Sequence, residues 1–230
     1  MLLEISDLSK KYVRDEKEYL VLDKVNFQAE KGQLISIIGQ SGSGKSTFFN
    51  IITGMLEQSS GSIKIDEKEV TGKSKEFSKI RNQKVGYIMQ GQNLLNNFSV
   101  LDNVCFPFYL IKNKGRSAGS KDSIDIQAKA EGLLREVGLY DARNAFPSQL
   151  SGGEIKRVAV VRALINGPDI IIADEPTGNL DPWNSLKIIE LFREISKTGV
   201  TVIVSTHDME FLKHSNRSYE MKSGKLEDLH

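Results

Sequence analysis

The sequence predicts an α/β fold with a mainly parallel core sheet, an antiparallel β portion near its start and an inserted helical block. Three observations carry this. Apolar runs alternate with amphipathic ones along the chain, the pattern of strands covered by helices. LISIIG (34–39), VGYIMQ (85–90), DIIIADE (169–175) and VTVIVSTHD (200–208) are dense in branched apolar residues without alternation, as central parallel strands buried on both faces would be. Between Gln90 and Leu150 no strong strand signal occurs.

Taken in order, LLEISDLSKKY, DKVNFQAEKG and GSIKIDEKEV alternate more and carry turn signals, which predicts antiparallel strands. LISIIG runs into a glycine, and STFFNIITGM (46–55) then reads as a helix. VLDNVCFPFYL and IDIQAKAEGLLREVGL read as helices of the insertion, separated by the Gly-, Ser- and Lys-rich loop NKGRSAGSKDS at 113–123. A further helix follows LSGGE (150–154), with Ile155, Val158, Val161, Ala163 and Leu164 at helical spacing and Gly167-Pro168 ending it. The expected organisation is therefore a core at 1–89 and 167–230, with a helical subdomain at about 91–166.

Composition narrows the function classes. The 230 residues are 39% hydrophobic and 27% charged, as in a soluble domain able to bury a sizeable core. A net charge of +1 supplies no global field for nucleic acid, so none is expected as a partner. The single cysteine, Cys105, lies in the apolar VLDNVCFPF and reads as a buried hydrophobe. The first dozen residues mix acids and lysines and lack a signal-peptide apolar block. No apolar run approaches the ~20 residues of a membrane span. Any membrane association is expected to come through a partner.

The chemistry gathers at strand ends, where parallel α/β sheets bind ligands. LISIIG leads into GQSGSGKST (39–47), VGYIM into Gln90, IIIA into Asp174 and Glu175, and VIVST into His207. Gly39, Gly44, Lys45 and Ser46 match the phosphate-loop pattern between a strand and a helix. Gly42 and Gly44 let the backbone wrap and aim N–H groups inward, beside a positive helix end. Lys45 suits the β- and γ-phosphates and the Ser46 hydroxyl suits Mg²⁺. A nucleoside triphosphate is the ligand this implies. Asp174 suits a direct or outer Mg²⁺ role, and Glu175 suits holding and deprotonating the attacking water.

LSGGE raises a separate question. Ser151, Gly152 and Gly153 stand at a helix N-terminus, an anion site by its exposed N–H groups. Ser151 and Glu154 also fit a capping box, which would make the motif purely structural.

The set GQSGSGKST, Gln90, LSGGE, IIIADEPTGNLD and Thr206-His207-Asp208 resembles the ATPase subunit of ATP-binding-cassette (ABC) transporters, over residues 2 to 226. The resemblance implies the ABC ATPase fold within the phosphate-loop NTPases. It implies ATP and Mg²⁺ as ligands, and a head-to-tail dimer of two copies in which the phosphate loop of one subunit and the LSGGE of the other enclose each nucleotide. The whole loop, Gly39, Gln40, Ser41, Gly42, Ser43, Gly44, Lys45, Ser46 and Thr47, would then hold phosphate and metal. Gln90 would help bind Mg²⁺ and sense the membrane partner, Glu175 would be the catalytic base, and His207 would contact the γ-phosphate and the water. Ser151, Gly152 and Gly153 would bind the neighbour's ATP, Asp181 would couple the two sites, and Tyr12 would stack on adenine.

Within the family, EPTGNLD, VGYIMQGQNLLNNFSVLDNV and a single cassette expected to have no C-terminal extension resemble the lipoprotein-release, macrolide-export and antimicrobial-peptide-resistance group. That implies a separate permease, moved from the cytoplasmic face of the membrane, to which force is often transmitted. A division-linked ATPase of similar type and a soluble non-transport member are the alternatives. A phosphate-loop kinase would leave LSGGE and His207 unexplained. Gln40 and Glu154 depart from the residues commonest in relatives without touching the signature serine and glycines, and the LLNNFS stretch departs where a permease would bind.

Overall fold

The computed structural model describes residues 1–70, 83–91, 94–111 and 121–229. The N-terminal half opens with an antiparallel sheet of β1 (Leu3–Arg14), β2 (Lys17–Ala29), β4 (Ser60–Ile65) and β5 (Lys68–Glu69), in the order β2-β1-β4-β5. The β1–β2 turn is made by Asp15 and Glu16, both left-handed at φ 49° and 60°. Positive φ at both central residues is what a two-residue hairpin following the strand twist requires. The alternation seen at LLEISDLSKKY marks one buried face at Leu3 and Ile5, and an irregularity at left-handed Asp7 (φ 49°) resets the register so that Leu8 is buried too.

The second sheet has six strands in the order β10-β9-β3-β8-β7-β6, from β3 (Leu34–Ile38), β6 (Val85–Ile88), β7 (Ile170–Asp174), β8 (Thr201–Ser205), β9 (Arg217–Lys222) and β10 (Lys225–Asp228). All neighbours are parallel except β9 and β10. The non-alternating runs have the predicted cause, since successive residues serve opposite faces. Ile170, Ile172 and Ile203 join the core shared with the antiparallel sheet and α1 (Lys45–Ile52). Ile171, Ala173, Val202 and Val204 join a second core with α4 (Gly152–Leu164), α5 (Pro182–Lys197) and α6 (Glu210–His214).

A third apolar cluster gathers Val100, Val104 and Cys105 of α2 (Val100–Ile111), Ile126, Ala130 and Leu134 of α3 (Lys121–Glu136), and Ile155, Val158 and Val161 of α4. Helix α4 thus belongs to two cores at once. Its Ala159 and Val160 face the sheet while neighbouring turns face α2 and α3.

Three features differ from the sequence expectation. β6 is an edge strand among the described residues, not a central one. Its apolar character comes from α4, which covers it so closely that a Cβ at Gly86 would stand 2.6 Å from the Ala163 carbonyl oxygen. α5, β9 and β10 go beyond the predicted elements. RSYEMK and KLED carry too many charges to read as strands, and their pairing with β3 and with each other decides them. The loop predicted at 113–123 lies outside the described residues as far as 120, and from Lys121 the chain is helical.

Candidate active site

The carboxyl ends of β3, β6, β7 and β8 open onto one cavity of about 760 Å³. Gly39, Gln40, Ser41, Gly42, Gly44, Lys45, Ser46, Thr47, Gln90, Asp174, Glu175 and His207 line it. The strand-end convergence read from the sequence is therefore spatial.

The phosphate loop is shaped by glycine where glycine is needed. Gly42 has φ 79° with open space where a Cβ would stand, so the backbone alone excludes other residues there. Gly44 has φ 114°, and a Cβ on it would meet Leu22 at 2.9 Å. Gly44 is also the N-cap of α1, with no side chain capping the helix. The first turn thus turns uncapped N–H groups toward the loop, a site that favours anions. Lys45 is buried and folds back, donating to the carbonyls of Gly39 (2.6 Å) and Gln40 (3.0 Å). Ser43 is buried, and its Oγ has no partner among the described protein atoms. A hydroxyl left so inside a phosphate loop fits an anionic ligand with acceptor oxygens.

The acids are held by β8. Ser205 Oγ donates to Asp174 Oδ1. The Ser205 carbonyl accepts from the Glu175 N–H at 3.0 Å. Glu175 is left-handed at φ 49°, a conformation that costs a non-glycine residue roughly 1 kcal/mol or more and so needs such support. It turns the chain as it leaves β7, and the Glu175 carbonyl accepts from Gly178 N–H at 3.1 Å in the next turn. His207 Nδ1 stands 2.8 Å from Glu175 Oε2, an ion-pair distance, but not along a hydrogen-bond direction. Glu175 is mostly covered while His207 is 76% exposed at the side chain. The histidine therefore forms the outer wall of the cavity and the glutamate its floor.

The remaining predicted residues lie elsewhere. Ser151, Gly152, Gly153 and Asp181 are outside the cavity's lining. The capping box is formed: Glu154 Oε2 accepts from Ser151 N at 2.8 Å, and Ser151 Oγ accepts from Glu154 N at 3.4 Å. The Ser151 backbone and hydroxyl donors hold the Glu154 carboxyl below its ordinary pKa. Ser151 and Gly152 are exposed, but Gly153 is buried against α5, where a Cβ would meet Asn184 Oδ1 at 2.8 Å. Asp181 caps α5 through the Asn184 N–H at 3.0 Å. Tyr12 is 41% exposed on β1, opposite Tyr19, with Lys10 Nζ 5.2 Å from its ring centre.

Val21, Gly91, Lys156, Gly178 and Asn179 also line the cavity and were not singled out from the sequence. Lys156 is the notable one, since it comes from α4 and not from a core strand end. The sequence carries no clear signal for it, since Lys156 sits between Glu154 and Arg157 in the charged opening of the helix.

Fold and cavity together define a nucleotide hydrolase of the phosphate-loop kind. A family model described as ABC transporter matches residues 22–178, and the chain belongs to that family: it is an ABC ATPase cassette. It is similar to the lipoprotein-releasing system ATP-binding protein LolD of Treponema denticola, 41% identical over 98% of this chain and 97% of that one. It is also similar to the macrolide export ATP-binding/permease protein MacB of Mannheimia succiniciproducens, 40% identical over 99% of this chain. The chain spans only 34% of that relative's length. Among solved structures, a dimeric form of the bacterial ABC transporter cassette MJ0796 matches with a TM-score of 0.87 and 34% identity, over 100% of this chain and 99% of that one. A dimeric post-hydrolysis state of MJ0796 bound to ADP and phosphate matches at 0.85 and 32%, with the same coverage.

Proposed function

We propose that this cassette binds ATP with Mg²⁺, closes head-to-tail on a second copy of itself, and drives a separate membrane permease from the cytoplasmic face. The observation that carries it is the split of the ATP-handling residues between two surfaces. Phosphate loop, Gln90, Glu175 and His207 share one cavity, while Ser151 and Gly152 stand exposed outside it. A twofold pairing brings each surface to its counterpart twice. The two dimeric structures of one relative, MJ0796, at nearly full coverage support this reading.

Within one site, Lys45 would leave the carbonyls of Gly39 and Gln40 for phosphate oxygens, and the loop N–H groups would take the rest. Ser46, Gln90 and Asp174 would hold Mg²⁺, which when bound neutralises charge on the phosphates. Glu175 accepts a proton from the attacking water through a carboxylate oxygen that has no aligned protein donor. His207, beside it, reaches toward the γ-phosphate. Catalysis is then positioning and charge stabilisation, with no covalent intermediate on the protein. Contacts made only to the γ-phosphate favour the closed dimer, so its loss on hydrolysis reopens it.

For the permease, the apolar side chains of Leu95, Phe98, Tyr109, Leu110 and Phe146 are exposed around α2. They follow Gln90 in the chain and sit on the helical part at about 91–166, a surface suited to a membrane protein's cytoplasmic segment. Among the described residues no helix is long and apolar enough to cross a membrane. The similarity to LolD and MacB favours lipoprotein release or export as the work done, including force transmission without a substrate channel.

The test is Glu175→Gln with ATP. Size-exclusion chromatography should show a stable ATP-dependent dimer that ADP does not produce. A variant that stays monomeric at saturating ATP, with nucleotide bound, would overturn the sandwich.

A further inference from the structure

Helix α4 begins at Ser151, on the surface meant for the partner's nucleotide. Five residues later it places Lys156 inside the chain's own cavity. The distance along the helix is about 7.5 Å. Lys156 is 6% exposed, and its Nζ donates to the carbonyl of Gly91 at 3.3 Å. Gly91 directly follows Gln90, and Asp174, Glu175, Lys45 and His207 line the same cavity.

We propose that Lys156 is a positioning residue that ties the signature helix to its own catalytic floor, holding the Gly91 turn and the Glu175 carboxylate in register with Ser151 at the other nucleotide. This rests on the reading of Glu175 as the base. A lysine is seldom buried without a purpose or partner. Burial lowers the Lys156 pKa, and the Glu175 charge acts in the opposite direction. Lys156 and Glu175 line the same cavity, so a shift of α4 relative to the sheet changes the separation between them. One rigid helix thus bears on two nucleotide sites, the partner's through its N-terminus and its own through the bond from Lys156 to Gly91.

The experiment compares Lys156→Met, Lys156→Arg and Glu175→Gln with the parent chain, measuring kcat, KM for ATP and thermal unfolding. Lys156→Met, which keeps the length and loses donor and charge, should lower kcat at least about tenfold with KM within about threefold. Lys156→Arg should recover most of that loss. A Met variant with parental kcat, a loss that Arg does not recover, or a change confined to KM would overturn the proposal. If the Met variant unfolds early, Lys156→Gln, which retains a donor for Gly91 but no charge, takes its place and should fall between Met and Arg; parental kcat there also overturns the proposal. Glu175→Gln reports separately: near-parental turnover in that variant removes the base reading, while a silent Lys156→Met beside an inactive Glu175→Gln removes only the tie.

Discussion

Ser205 organises both acids of the site. Its hydroxyl donates to Asp174 and its carbonyl takes the Glu175 N–H. That fixes the direction of one carboxylate and supports the left-handed backbone of the next residue. With Glu175 set this way, Glu175→Gln should retain ATP binding and lose turnover by about 10²–10⁴. A phosphate-release assay beside equilibrium nucleotide binding checks both halves, and near-parental turnover would sink the assignment. Cys105 is a simpler case. It is 3% exposed, and burial pushes its thiol up to about 11. The thiolate is the reactive form, so at pH 8 the folded protein should resist a thiol-specific reagent. Labelling should follow global unfolding; fast labelling of native protein would contradict the buried environment.

At the scale of elements, α4 is the joint of the molecule. It packs on the sheet, on α2 and α3, and against the start of α5. Gly86 lets it approach β6, because a Cβ there would lie 2.6 Å from a backbone oxygen that cannot swing aside. Gly86→Ala should therefore destabilise the fold by roughly 1–3 kcal/mol, the usual cost of overpacking. Thermal or urea unfolding measures this, and an unchanged midpoint would mean that α4 yields easily. The capping box at Ser151 and the outward exposure of Ser151 and Gly152 coexist on the same helix. The Glu154 carboxylate occupies the Ser151 donors, so a neighbour's phosphate would have to displace it from the Ser151 hydroxyl, while the cap accepted from the Glu154 N–H can stay.

At the scale of the whole molecule, the two surfaces proposed to handle ATP can be altered separately. Ser151→Arg should abolish hydrolysis while leaving the chain's own nucleotide cavity able to bind ATP. Lys45→Ala should impair that cavity while leaving the signature surface whole. In a mixed dimer one of the two sites pairs an intact Lys45 with an intact Ser151. Mixing the two inactive variants should thus restore hydrolysis, read by phosphate release. A mixture as inactive as its parents would overturn completion of one subunit's site by the other.

Much of this was legible in residues. The alternation at LLEISDLSKKY, the non-alternating β7 and β8 runs and the phosphate loop each announce a local geometry set by near neighbours in the chain. Local physics is enough there: pleat, helical period and glycine's φ range operate over a few residues. Four strand ends bearing phosphate-, metal- and water-binding groups then announced the site, because a parallel sheet must bring such ends to one edge. Lys156 could not be read that way. Its neighbours in sequence, Glu154 and Arg157 among them, make it read as one more charge near the helix start, and only the packing of α4 on the sheet turns it into the cavity. The same holds for β9 and β10, whose charged residues make poor strands until β3 offers β9 a parallel edge and β9 in turn pairs antiparallel with β10. It holds too for the edge position of β6 and for the tight seat of Gly153 on Asn184. The sequence by itself determined the family, the ligand-binding loop and the chemistry of the strand ends. The tertiary structure alone decided which faces meet, because contacts between residues far apart in the chain depend on how whole elements pack.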